Sequence, residues 1–143
     1  MHAGSCLCGA IQYEIRGPIG PGFYCHCARC RKASGSVFAS NAVVAVDDFV
    51  VVKGEDALKT YVAATGLHRS FCAHCGSPII SRREGVPQVR VRLGTLDTPL
   101  GAGQGPQAHI YVDSKADWWE IHDELPQYPE APPRPAGAGA GKP

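Results

Sequence analysis

Seven cysteines gathered into three clusters constrain this chain more than any other feature. They fall as Cys6-Leu7-Cys8, as Cys25-His26-Cys27-Ala28-Arg29-Cys30, and as Cys72-Ala73-His74-Cys75. Zinc favours four thiolates at tetrahedral corners, delivered in close pairs from separated segments of chain. Spacing alone leaves open which pairs combine. Three arguments favour Cys6 and Cys8 with Cys72 and Cys75. Each is a bare pair followed by glycine, Gly9 or Gly76, which supplies the positive φ that a metal knuckle needs. Together they reach four thiolates. An ion there would also tie the start of the chain to its middle, adding folding free energy across a long loop.

The remaining cluster, Cys25, Cys27 and Cys30, has the ligand count of a catalytic zinc with one open position. Arg29, Arg31 and Lys32 sit beside it in sequence, where their charge could lower thiol pKa values and attract an anionic substrate. A solvated basic face explains the same three residues. The alternatives for the cluster are a second structural zinc completed from elsewhere, with His26, His68, His74 and His109 as candidate fourth ligands, or an unfilled thiol cluster. A disulfide framework needs an oxidising compartment, a thioredoxin-like pair needs a βαβ context, and iron–sulfur runs have other spacings.

A net charge of +1 argues against the basic footprint of a nucleic-acid binder. No run of about 18 apolar residues is present, so no membrane span is expected. The opening residues lack the pattern of a secretory signal, and the expected compartment is the cytoplasm, where thiols stay reduced.

The rest of the chain reads as short strands. Ile11, Tyr13 and Ile15 alternate with polar residues, as do Val89, Val91 and Leu93. Val37 to Val46 reads as a buried strand broken at Asp47-Asp48, with Phe49 to Lys53 resuming it. Leu58 to Val62, His68 to Phe71 and Ile79 to Arg82 are further strands, and Gly17 to Gly22 is a loop. Ala28 to Ser34 is expected to form one or two helical turns, and Ala116 to Ile121 is a weaker helix candidate. The expectation is a single zinc-binding domain over residues 1–130, followed by a disordered Pro-, Gly- and Ala-rich tail from Ala131 to Pro143.

Arg82, Arg83, Arg90 and Arg92 give the later strands a basic side. If Arg90 and Arg92 share a face, that face could bind an anion; solvation of the sheet is the plainer account. One of Trp118 and Trp119 is expected in the core and the other exposed. His109 and His122 are expected as surface or hydrogen-bonded core histidines rather than catalytic bases.

The segments GSCLCGAIQYEI, CHCARCRKASG and FCAHCGS, with HIYVDSKADWWEIHDELPQY further on, resemble the glutathione-dependent formaldehyde-activating enzyme family, which includes the centromere protein V group. The resemblance runs from Gly4 to about Pro129. It implies a mainly β, Mss4-like fold of short antiparallel strands stapled by zinc. It implies structural zinc on Cys6, Cys8, Cys72 and Cys75, and a second, catalytic zinc on Cys25, Cys27 and Cys30. The implied activity is a carbon–sulfur lyase, S-(hydroxymethyl)glutathione synthase, with a thiol (glutathione) and an aldehyde (formaldehyde) as small-molecule partners. Arg29, Arg31 or Lys32 would then meet the carboxylates of glutathione. The alternative is a non-catalytic zinc-binding interaction module, since Mss4-like folds also serve as interaction domains.

Overall fold

The structure, a computed structural model, describes residues 1–133. The expected tail therefore falls mostly outside the described residues. In chain order the elements are β1 (His2–Ser5), β2 (Gln12–Ile15), β3 (Gly22–Cys25), α1 (Ala28–Ser34), β4 (Ala39–Ala45), β5 (Phe49–Lys53), β6 (Leu58–Val62), β7 (Leu67–Cys72), β8 (Pro78–Arg83), β9 (Gln88–Arg92) and β10 (Pro106–Ile110). A small antiparallel sheet runs β1-β2-β5, and a larger one runs β10-β3-β4-β9-β8-β7-β6. The mainly β architecture agrees with the expectation. Among the described strands β10 departs from antiparallel pairing and lies parallel to β3. Parallel neighbours need a long connection, and here most of the chain lies between them.

Alternation decides which faces are buried. Ile11, Tyr13 and Ile15 from the small-sheet segment meet Val44, Ile79, Val89 and Val91 from the large sheet in one core, all at about 1% exposure or less. Removing such a side chain from water is worth about 1.5–3 kcal/mol. Gly4 in β1 is required by this packing, because the ring of Tyr13 occupies the space a Cβ would need. That strand escaped the sequence reading because its buried position carries no side chain.

Tyr13 also carries a polar group into the core. Its hydroxyl lies 2.8 Å from Thr95 Oγ1, and Thr95 donates in turn to the carbonyl of Arg92 at 2.8 Å. Burial pushes the phenol up to about 12, so it stays neutral and serves as a donor. Tyr13→Phe is expected to cost about 1 kcal/mol, read as a lower urea midpoint at unchanged slope. An unchanged midpoint would show that the pair adds nothing to stability.

The helix expected over Ala28 to Ser34 is α1. Its C-cap, Gly35, sits at φ 61° and donates to the carbonyl of Arg31, a left-handed ending that glycine accepts without strain. Ala116 to Ile121 is not helical and makes only a turn around Asp117-Trp118. Lys115 Nζ donates to the carbonyls of Ala116 and Trp119, at 3.1 and 2.6 Å. It thereby takes acceptors that a helix would use for its own ladder. Trp118 is 71% exposed, as expected for one of the pair, while Trp119 is half-buried against His26 rather than in the core.

Candidate metal centres

The first centre forms where the two sheets' ends meet. Cys6 directly follows β1, and Cys72 is the last residue of β7. Each opens a tight turn: Gly9 N–H donates to the carbonyl of Cys6 at 2.9 Å, and Gly76 N–H to that of Cys72 at 2.8 Å. Gly9 and Gly76 lie at φ 73° and 78°, the left-handed region their positions in the sequence predict. The turns aim backbone donors at sulfur, as in the Ile11 N–H to Cys6 Sγ bond of 3.2 Å. Ser77 ties the two turns together. It accepts from Leu7 N–H at 2.9 Å, and through its side chain and backbone it pulls the Cys75 thiol down to about 5.

All four sulfurs lie within 4.8 Å of one another. Cys6 Sγ and Cys8 Sγ are 3.6 Å apart, and Cys8 Sγ and Cys72 Sγ are 3.9 Å apart. A tetrahedral ion with metal–sulfur bonds of about 2.3 Å needs edges of about 3.8 Å. The donor set therefore fits such an ion, and the thiols are free rather than paired in disulfides.

The second cluster is set by the β3–α1 junction. Cys25 ends β3 at 6% exposure, Cys27 is the N-cap of α1, and Cys30 lies in its first turn at 9% exposure. Cys27 Sγ accepts from Cys30 N–H at 3.3 Å, which places the sulfur where a Ser or Asp oxygen would usually cap a helix. These three sulfurs also lie within 4.8 Å of one another. The Cys27 thiol is pulled down to about 2 by hydrogen bonds from Cys25 and then Cys30, and the same contacts push Cys25 far above the ordinary thiol range. One thiolate is well accommodated there; two or three need a cation among them.

Among the described residues no histidine or carboxylate joins either sulfur group. Of the four candidate fourth ligands, His74 is exposed and His68 half-buried, and neither joins a sulfur group. His26 and His109 are engaged with each other at 2.7 Å, and His109 Nε2 reaches Asp123 at 2.9 Å. Burial, then the neighbouring His109, lowers the His26 pKa to about 4. The pair is thus the hydrogen-bonded core histidine expected for His109, walled by Tyr24, Phe38 and Trp119. Among the described residues the second cluster, Cys25, Cys27 and Cys30, stays at three ligands.

Arg29 and Lys32 are exposed on α1, and Arg31 is half-buried. The guanidiniums that the fold brings toward the cluster come from elsewhere. Arg69 on β7 directs Nη2 at Cys30 Sγ, 3.9 Å away. Arg92 at the end of β9 is 6% exposed and donates to Asn41 Oδ1. Charge attraction from Cys30 and Cys25 acts on Arg92, although burial outweighs it and brings its pKa down to about 10. Sequence reasoning noted Arg92 as part of a basic strand but missed Arg69, whose nearness to Cys30 follows from strand order alone. Both arginines line a cavity of about 180 Å³, together with Ala33, Tyr61, Phe71 and Ile80.

The family model described as glutathione-dependent formaldehyde-activating enzyme matches residues 1–114. A Halomonas elongata protein provisionally named as such an enzyme is 30% identical over 125 residues, covering 82% of this chain and 79% of its own. Proteins of Aspergillus flavus and Aspergillus oryzae with the same provisional name are 28% identical over 81 residues, covering 55% of this chain and 42% of theirs. A crystal structure of a Rhodobacter sphaeroides protein superposes with a TM-score of 0.58 at 27% identity, covering 73% of this chain and 97% of that one. With all three cysteine clusters inside or at the core of the matched region, the chain belongs to the glutathione-dependent formaldehyde-activating enzyme family.

Proposed function

We propose that the protein is a zinc-dependent carbon–sulfur lyase that joins an aldehyde to a thiol, resembling S-(hydroxymethyl)glutathione synthase. In this reading Cys6, Cys8, Cys72 and Cys75 hold a closed structural zinc. Cys25, Cys27 and Cys30 hold a second zinc with a place left for substrate. The observation that carries the reading is the second cluster: three converging sulfurs, with no fourth side-chain ligand among the described residues, beside a cavity lined by two arginines. A zinc ion bound there would supply Lewis acidity, favouring the thiolate of a substrate or polarising a carbonyl.

The chain's own part is positioning. Cys25 and Cys30, buried on β3 and α1, fix two sulfurs on the protein side, while the half-buried Cys27 faces the more open side. In the reaction the substrate sulfur forms a bond to the aldehyde carbon, the carbonyl π pair moves onto oxygen, and that oxygen takes up the proton the thiol gave. Holding both reactants together removes most of the entropic cost of the encounter. Free thiols at both clusters suit a reducing compartment such as the cytoplasm. Among the described residues no helix is long and apolar enough to cross a membrane.

Two-dimensional exchange NMR of formaldehyde with glutathione tests this reading. The zinc-loaded protein is expected to speed formation of the hydroxymethyl adduct above the spontaneous rate. No acceleration would remove this substrate pair. The interaction-module alternative would then gain ground from the edge strand β6, where Tyr61 and Val62 stand 60% and 56% exposed.

A further inference from the structure

Three arginines share one face of the large sheet. Arg69 pairs across the strands with Ser81, and Ser81 pairs with Arg90, so these side chains stand in one row. Arg92 lies two residues beyond Arg90 on the same strand and therefore on the same side. Arg90 is exposed, but Arg69 and Arg92 both line the cavity, and Arg69 links it to Cys30. The Arg69 guanidinium spans the two: Nη2 lies toward the Cys30 sulfur, while Nη1 is buried with no hydrogen-bond partner. Among the described residues neither arginine has a carboxylate within ion-pair distance, and no acidic residue lines the cavity.

Charge counting makes this arrangement incomplete. Three thiolates on a divalent ion carry one net negative charge. Two guanidiniums beside them leave one positive charge unbalanced. A guanidinium withdrawn from water without a carboxylate partner is costly, and that cost falls when an anion enters. The fork geometry of guanidinium matches a planar carboxylate with two parallel bonds.

We propose that Arg69 and Arg92 form a carboxylate subsite in this cavity, which selects thiol substrates carrying a carboxylate within a short reach of the sulfur. Its role in selecting a substrate rests on the lyase reading above; the binding of an anion there does not. The exposed ring of Tyr61, cross-strand partner of Arg69, stands at the cavity wall and would cover the bound chain.

The test uses the full, zinc-loaded chain and two thiols of similar size, 3-mercaptopropionate and 2-mercaptoethanol. Calorimetry is expected to give at least about tenfold tighter binding for the carboxylate thiol, the scale of a charge-assisted hydrogen bond. The side-chain Nε–H signals of Arg69 and Arg92 should shift with 3-mercaptopropionate and stay in place with 2-mercaptoethanol. Arg69→Gln is expected to shrink the affinity ratio to within about twofold, and Arg92→Lys, which keeps the charge but loses the fork, to reduce it several-fold. The wild-type comparison stands whether or not either variant folds. Equal affinities in the wild type, or a ratio unchanged in both variants, would overturn the subsite. A preserved preference without acceleration of the formaldehyde–glutathione exchange would overturn the lyase reading and leave the subsite standing. Acceleration without preference would do the reverse.

Discussion

Cys72→Ser is expected to leave the chain unfolded and short of metal at room temperature. Cys72 has no exposed surface and belongs to the core cluster that includes Ile79 and Val44. A serine there loses a thiolate ligand and buries a hydroxyl at once. The larger effect is the ligand. A structural zinc of this type contributes about 10–16 kcal/mol in small metal-dependent domains, whereas whole domains are stable by only about 5–15 kcal/mol. Losing one of four thiolates is therefore enough to tip the balance. The reading is an amide NMR spectrum with collapsed dispersion and a zinc content below that of the wild type. Cys8→Ser separates the two causes, since Cys8 is exposed and its loss removes a ligand without disturbing the core. If Cys72→Ser unfolds the chain but Cys8→Ser keeps both fold and metal, Cys72 matters for packing and the four-thiolate staple fails.

Cys27→Ser should behave in the opposite way. Cys27 is half-buried and caps α1 by accepting from Cys30 N–H. Serine is among the best N-cap residues, so the helix keeps its start and the melting temperature should stay within a few degrees. A neutral hydroxyl is a poor substitute for a thiolate on zinc, however, and one of two zinc ions should be lost. Lewis-acid stabilisation by a metal is worth several kcal/mol, and each 1.36 kcal/mol is tenfold in rate. Adduct formation should therefore fall by at least about 10²-fold. If this variant also unfolds, the Cys25, Cys27 and Cys30 cluster serves the fold and the catalytic reading is wrong.

The two variants diverge because the clusters sit differently in the fold, and part of that was legible in the sequence. The pairing of Cys6 and Cys8 with Cys72 and Cys75 could be argued from glycine position and ligand count, because a knuckle's backbone turn is a local property. Gly9 and Gly76 do adopt the left-handed conformation that argument required. Strands with clean alternation, such as β2 and β9, were equally plain. What could not be read was long-range placement. The parallel pairing of β10 with β3 depends on strands separated by most of the chain, and nothing local marks it. Arg69 is the clearest instance. Its neighbours in sequence are ordinary strand residues, and only the path of β7 through the sheet brings its guanidinium to Cys30. The basic residues that lie next to the cluster in sequence, Arg29 and Lys32, instead point from a short helix into solvent. The misread helix at Ala116 to Ile121 has a similar origin, since Lys115 takes its carbonyls.

Zinc X-ray absorption on the purified, reduced protein tests the arrangement of the seven thiols most directly. Seven cysteines shared by two ions predict about 3.5 sulfur atoms per zinc at about 2.3 Å, with the remaining half-ligand a lighter atom at about 2.0 Å. One zinc per chain with a pure four-sulfur shell, or a folded protein without zinc, would contradict it.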